Sequence, residues 1–269
     1  MIRKIIYLSI ILFAFNSHSV FAGSTNSEEL KTKKSSNTAN ECFEGFSRAM
    51  FSFNHGLDTA VFEPIAKGYR ALPTPIRKGT GNVVDNLRSL LTISNNVLQG
   101  DFNAAGNTAG RFLINTTVGI LGIFDPASKI GFEENEKEDF GQTMGVWGTD
   151  SGCYFVLPIL GPTTVRDSFG LVGNVFLDPV YQITHNSEIN GGMVGNGNYS
   201  EHNYYYYRGT SAVDFRAKNI ESFDSLEKNA IDFYASVKSI YLQDRAKKIL
   251  NSKSTVETQD DSDWEEIEN

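Results

Sequence analysis

The chain has 269 residues, enough for one large domain or two small ones, with 24 Lys and Arg against 32 Asp and Glu and a formal charge of −8. So acidic a chain makes nucleic acid an unfavourable partner, because phosphate binding relies on Lys and Arg displacing counterions. No apolar run approaches the ~20 residues of a membrane-spanning helix.

Residues 1–22 read as a signal peptide. Arg3 and Lys4 precede an apolar run from Ile5 to Phe15, and Val20-Phe21-Ala22 closes it with a small residue at the cut. Export places the chain in an oxidising compartment. Residues 23–40 hold one Leu and no aromatic, and predict a flexible tether. Residues 257–269 hold seven carboxylates and no base, so the body left without Arg3, Lys4 and this tail carries only −3.

The folded part is predicted over 41–250 as a single, mostly α-helical domain. Phe43, Phe46, Met50, Phe53, Leu57 and Val61 recur in steps of three and four, the period of one helix face, and Pro64 is expected to end or re-aim that helix. Residues 67–76, with Pro73 and Pro75, read as an extended connection. A second helix is expected over 78–98, with Val83, Val84, Leu87, Leu90, Leu91 and Val97 inward and Gly100 as its stop. A third is expected over 103–117, with Ala104, Ala105, Ala109, Phe112 and Leu113 inward. The run Val118-Gly-Ile120-Leu121-Gly-Ile123-Phe124 fits either a buried helix end or a segment lying in an apolar membrane layer.

Residues 129–139 are charged and expected to be exposed, and 141–152 are glycine-rich around Trp147. Residues 154–158 are short and apolar. Thr163 is the expected N-cap of the next helix. Four glycines break residues 186–203 into an irregular loop, and Tyr204–Tyr207 follow as an aromatic block. One or two amphipathic helices are expected over 213–250, and 251–269 as an acidic disordered tail, either solubilising or docking a partner. Cys42 and Cys153 allow either a disulfide or two buried thiols.

Enzyme chemistry finds little support. His18 lies in the leader, and His55, His185 and His202 have no metal-ligand spacing with each other or with cysteine. Neither a nucleophile elbow nor a phosphate loop is present, so no catalytic residue, metal or cofactor is expected. The apolar inventory is large: 19 Phe and 11 Tyr in a nearly neutral body. Helix walls that mix aromatic and polar groups suit an apolar ligand with a polar head, because tails need apolar surface and the head needs partners. The first helix interleaves Arg48, Asn54 and Asp58 with Phe46, Phe51 and Phe53. Arg48, Arg111 and Arg166 are candidates for bidentate binding of a phosphate, although Asp167 beside Arg166 favours structural pairing there.

Eight blocks in order resemble the MlaA (VacJ) family. They are Phe43-Glu-Gly-Phe-Ser-Arg-Ala-Met-Phe-Ser-Phe-Asn54 with Leu57-Asp58; Pro64-Ile-Ala-Lys-Gly-Tyr-Arg70; Asn82 with Asn86-Leu87; Asn96-Val-Leu-Gln-Gly100; Arg111-Phe-Leu-Ile-Asn115; Phe140-Gly-Gln-Thr-Met-Gly-Val-Trp-Gly148; Leu157-Pro-Ile-Leu-Gly-Pro162 with Arg166-Asp167; and Tyr241-Leu-Gln-Asp-Arg245. The resemblance implies a ring-shaped helical domain in the inner leaflet of the outer membrane, on its periplasmic face. It implies an amphipathic channel through which phospholipid misplaced in the outer leaflet reaches a periplasmic carrier, MlaC, and association with a trimeric porin. The lipid-path candidates are then Phe46, Arg48, Phe51, Phe53, Asn54, Asp58, Arg111 and Arg166. The membrane-contact candidates are Val118, Ile120, Leu121, Ile123 and Phe124. The family's lipid-modified Cys is not evident after Ala22, and Cys42 and Cys153 stand where the family pattern carries Pro. The rival expectation is a soluble periplasmic carrier of a lipid or another apolar ligand.

Overall fold

The computed structural model describes residues 41–185 and 201–265. The expected signal peptide, tether, most of the glycine-rich loop and the last four residues lie outside the described residues. Helix dominates what is described, with one two-stranded hairpin.

Helix α1 (Glu44–Leu57) runs into a π-helical turn at Asp58–Phe62 and then into α2 (Glu63–Arg70). Pro64 therefore does not end the helix. The widened turn carries the chain past it: the Glu63 N–H reaches back to the Asp58 carbonyl, and Pro64 follows directly, at the start of α2. The predicted extended connection shrinks to three residues, Ala71 to Pro73, because Pro75 is likewise tolerated near a helix start.

Helix α3 (Thr74–Gln99) stops at left-handed Gly100, and Asp101 caps α4 (Phe102–Thr117) by accepting the Ala104 N–H at 2.9 Å. The hairpin and its stop at Gly100 match expectation, although α3 begins four residues before the expected Lys78; its buried face does not match. Val84, Leu91 and Ala105 are buried, but so are Asn86, Thr92, Asn95, Asn96, Gln99, Thr108 and Asn115, while Val97 and Leu113 point outward.

The chain then turns through 118–124, with Ile120, Leu121 and Gly122 in the left-handed region, and passes a 3-10 turn at Ala127–Ile130. Asp139 caps α5 (Phe140–Val146), which takes up the first part of the glycine-rich stretch. Strands β1 (Tyr154–Leu157) and β2 (Gly161–Thr164) pair antiparallel, Tyr154 opposite Thr164 and Leu157 opposite Gly161. Thr164, one residue later than expected, caps α6 (Val165–Leu177), since Thr163 is the last but one residue of β2. Helix α7 (Pro179–His185) follows. Helices α8 (Glu201–Lys218), α9 (Ile220–Asn229) and α10 (Phe233–Glu265) complete the chain. Helix α10 continues to Glu265, so the acidic segment expected to be disordered from 251 begins as helix, propagated from a packed first half.

A disulfide joins Cys42 to Cys153 across a Cα separation of 5.6 Å, which resolves the two sequence alternatives. It ties the start of α1 to β1 beside a small apolar core of Tyr154, Val156 and Tyr234, with Met50, Phe51, Tyr241 and Leu242 packed on it. A second apolar cluster holds Ala66, Ala217 and Ile220. Together these are small cores for so many aromatics. Among the described residues, ten apolar side chains are buried against twenty polar or charged ones, while thirty-one large apolar side chains are exposed. This partition is turned inside out relative to an ordinary soluble domain.

Candidate functional site

The inverted partition has two local expressions. The first is the loop 118–124. Its floor is polar: Asn86 Nδ2 donates to Thr116 Oγ1 at 2.8 Å, and Asn82 Nδ2 donates to the Ile123 carbonyl at 2.9 Å. Asn115 and Arg111 both bind the Asp125 carboxylate, at 2.9 and 3.0 Å. Gly122 lies so close to Asn86 that a Cβ there would stand 2.7 Å from the Asn86 Cβ. With the backbone fixed from below, Val118, Ile120, Leu121, Ile123 and Phe124 all project outward, at 41–71% exposure. The reading of this run as a buried helix end is thereby corrected. Buried Asn86 and Asn115 occupy the space beneath it that an apolar core would need. A polar pocket of about 70 Å³ lies under the loop, with Arg111 on its wall.

The second is a cleft of about 230 Å³ between α1, the π turn, the β1–β2 turn and helices α8 to α10. Its apolar walls include Phe51, Leu57, Phe62, Phe223 and Phe233. Asn54 fixes one side: its Nδ2 donates to the Leu157 carbonyl at 2.8 Å and its Oδ1 accepts the Ile159 N–H at 2.7 Å. Ile159 needs this grip, since it holds a left-handed φ of 67° and its side chain is exposed. The π turn places Asp58 opposite Arg216 of α8, whose Nε and Nη2 donate to the carboxylate at 2.9 and 2.8 Å. The guanidinium also lies 5.0 Å from the Phe223 ring centre, in cation–π contact. At the rim, His55 Nε2 meets the Glu227 carboxylate at 3.1 Å.

The eight lipid-path candidates thus separate. Phe51, Asn54 and Asp58 meet in the cleft. Phe46 and Phe53 are half exposed on α1, and Phe53 does not line the cleft. Arg48 is held by Glu44 and Asp232, Arg111 by Asp125 and the Phe132 carbonyl, and Arg166 by Asp167. The bidentate forks expected to meet a phosphate are engaged with protein oxygens in this structure. Sequence reasoning missed Arg216, Phe223 and Glu227. The available signal was weak: Arg216 is one of two Arg in α8 and stands between Asp214 and Lys218. The segment 129–139 was expected to be exposed, yet Glu138 is buried. Gln99 Nε2 donates to its carboxylate at 3.0 Å, and burial pushes its carboxyl up to about 7. Beside it, burial would also raise Asp139, but the hydrogen bonds and charge of Arg245 bring it down to about 2.

Among the described residues, no group of three or more His, Cys, Asp or Glu is placed to hold a metal ion, and no helix is long and apolar enough to cross a membrane. The fold and its sites define a class: a helical protein with amides inside, apolar residues outside and a cleft divided between aromatic wall and charged end. The chain belongs to the MlaA family, whose model, described as the MlaA lipoprotein, matches residues 39–248. It is 33% identical over 248 residues to the intermembrane phospholipid transport system lipoprotein MlaA of Haemophilus influenzae, covering 90% of this chain and 91% of that protein. It is 38% identical over 146 residues to an uncharacterized protein of Rickettsia prowazekii, and the match spans 58% of that relative's length. A solved structure reported as a structural basis for maintenance of bacterial outer membrane lipid asymmetry superposes with a TM-score of 0.63 at 26% identity, covering 78% of this chain and 99% of that one.

Proposed function

We infer that this protein is a phospholipid transport component. It takes phospholipid misplaced in the outer leaflet of the outer membrane through an amphipathic channel and passes it to a periplasmic carrier of the MlaC kind, so keeping the two leaflets different. In this reading the helical body sits in the inner leaflet, beside a trimeric porin. The observation that carries it is the inverted partition among the described residues: buried amides and carboxylates within, and thirty-one large apolar side chains outside. Lipid removes the cost of the exposed apolar surface, and a hydrated interior removes the cost of the buried polar groups. The relatives' names point the same way.

The residues have distinct parts. The outward side chains of 118–124 lie among acyl tails. The cleft gives a tail the rings of Phe51, Phe223 and Phe233, and gives a headgroup the charged end at Asp58 and Arg216. No bond is made or broken, and the lipid's poor fit in its starting leaflet supplies the free energy. The test is phospholipid exposed on the cell surface in a deletion strain. Deletion raises it, the intact gene restores it, and Asn54→Ala restores it in part because the β1–β2 turn loses both hydrogen bonds to its clasp. Unchanged surface phospholipid in the deletion strain removes this reading. A protein that stays monodisperse in water without detergent favours the soluble carrier instead.

A further inference from the structure

The cleft holds an unfilled donor and a charge imbalance that transport as such does not require. Arg216 is 8% exposed. Its Nε and Nη2 are bound to Asp58, and Nη2 also lies 3.7 Å from the Glu63 carboxylate. Nη1 is buried and has no hydrogen-bond partner. A guanidinium N–H withdrawn from water and left unpaired is unfavourable, and it selects an acceptor oxygen that reaches the buried end of the cleft. The walls leading there are aromatic, at Phe51, Phe223 and Phe233, so the acceptor arrives on an apolar body rather than as a free ion.

The charges narrow the ligand further. Asp58 and Glu227 line the cleft with Arg216 and His55, and Glu63 lies behind, itself paired with Lys67, so three carboxylates stand against one Arg and one Lys. A ligand with a net negative charge would deepen this imbalance against walls that screen poorly. A ligand whose ammonium offsets its own anionic oxygen adds no net charge, and can set that ammonium beside Glu227.

We propose that this cleft is a binding site selective for zwitterionic over anionic glycerophospholipid. A lipid oxygen accepts from Arg216 Nη1, an acyl chain lies along Phe223 and Phe233, and the ammonium is drawn to Glu227. The proposal rests on the phospholipid transport reading and adds to it the headgroup class and the residue that sets it. Glu227 is the sharper probe, because its side chain is 51% exposed at the rim and its neutralisation leaves the Asp58–Arg216 pair intact.

The experiment loads the full chain in detergent with equal phosphatidylethanolamine and phosphatidylglycerol, and measures both lipids retained after gel filtration by mass spectrometry. The native chain is expected to retain the zwitterionic lipid a few-fold over the anionic one, the scale set by a partly exposed charge pair. Glu227→Gln is expected to lower retention of the zwitterionic lipid until the two are equal, with the anionic lipid held no less than in the native chain. Arg216→Lys keeps a cation beside Asp58 but loses the Nη1 fork, and total lipid is expected to fall several-fold. Glycerophosphoethanolamine, the headgroup without tails, is expected not to displace the bound lipid, and displacement would assign the site to a soluble phosphodiester instead. Equal retention by the native chain, or an unchanged ratio in Glu227→Gln, overturns the selectivity while leaving transport intact. A native chain that retains neither lipid overturns both.

Discussion

Arg245 and Arg216 are almost equally withdrawn from solvent, with side chains 12% and 10% exposed, and each is clamped by carboxylates. Their surroundings differ. Arg245 donates to both oxygens of Asp139 and both of Asp167, at 2.5–3.1 Å, while Tyr241 and Arg166 complete the shell of Asp167. Glycine backbone presses against this knot. A Cβ on Gly141 would stand 2.6 Å from Asp167 Oδ1 and 2.7 Å from Arg245 Nη2, and one on Gly170 would stand 2.5 Å from the Gly141 nitrogen. Arg216 grips Asp58 with two nitrogens, leaves the third unpartnered, and sits at the end of an aromatic cleft. A buried ion pair is therefore not a site in itself. The closed knot joins α5, α6 and α10, whereas the open one keeps a spare donor on an arginine that lines a cleft.

The largest expected effect comes from opening the closed knot. Arg245→Gln leaves Asp139 and Asp167 without their shared cation, and a broken pair of this kind costs about 3–5 kcal/mol because the stranded charges stay in place. Chemical unfolding of the detergent-solubilised protein should show a loss on that scale, together with loosened α5–α6 packing in hydrogen exchange. If Arg245→Gln unfolds like the native chain while Arg216→Gln collapses, the assignment of structural and binding knots is reversed.

A smaller loss is expected from reducing the disulfide. The bond closes a separation of 111 residues, and bridges over such loops contribute about 2–4 kcal/mol, mainly by restricting the unfolded chain. It shares its corner with Glu41, which accepts from Tyr234 and pairs with Lys238. The corner touches the cleft through Phe51 but holds neither Arg216 nor Glu227, the two charges that set the lipid ratio. Dithiothreitol or Cys153→Ser should lower the unfolding midpoint and leave the ratio of bound lipids unchanged. A shift in that ratio would show that the cleft depends on the corner, which the comparison denies.

The same contrast explains what could be read from the chain. Helices α3 and α4 were legible because apolar residues recur at helical spacing and Gly100 marks a stop. Which face they bury was not, because periodicity tracks hydrophobicity, and these helices turn Asn86, Asn95 and Gln99 inward. Pro64 read as a point where the helix ends or is re-aimed, because a sequence carries no sign that a π turn will absorb it. The pairing of Arg166 with Asp167 was legible from adjacency; the longer reach from Arg245 to Asp139, 106 residues apart, was not. Asn54 and Asp58 were legible as polar residues on an aromatic helix. Arg216 was not, since its significance comes from a partner 158 residues away and from the nitrogen that partner leaves bare.

The last expected effect concerns pH, and it separates two carboxyls adjacent in sequence at the edge of the closed knot. Glu138 is pushed by burial from its ordinary 4.5 up to about 7, so folding favours its protonated form. Its contribution is fully present below about pH 4.5 and is lost as pH rises towards 7. Asp139 has the opposite sign. Arg245 overrides burial and brings it from 3.8 to about 2, so its contribution is present above about pH 3.8 and is lost as pH falls towards 2. Glu138→Gln keeps an amide beside Gln99 without a charge to bury. Unfolding measured at pH 4.5, 6 and 7.5 should fall with pH in the native chain and fall less in the variant, whose advantage grows towards pH 7.5. Parallel slopes in the two proteins would mean that Glu138 is ionised at little cost in the fold, and that the rim of the closed knot is as open to water as the cleft at Arg216.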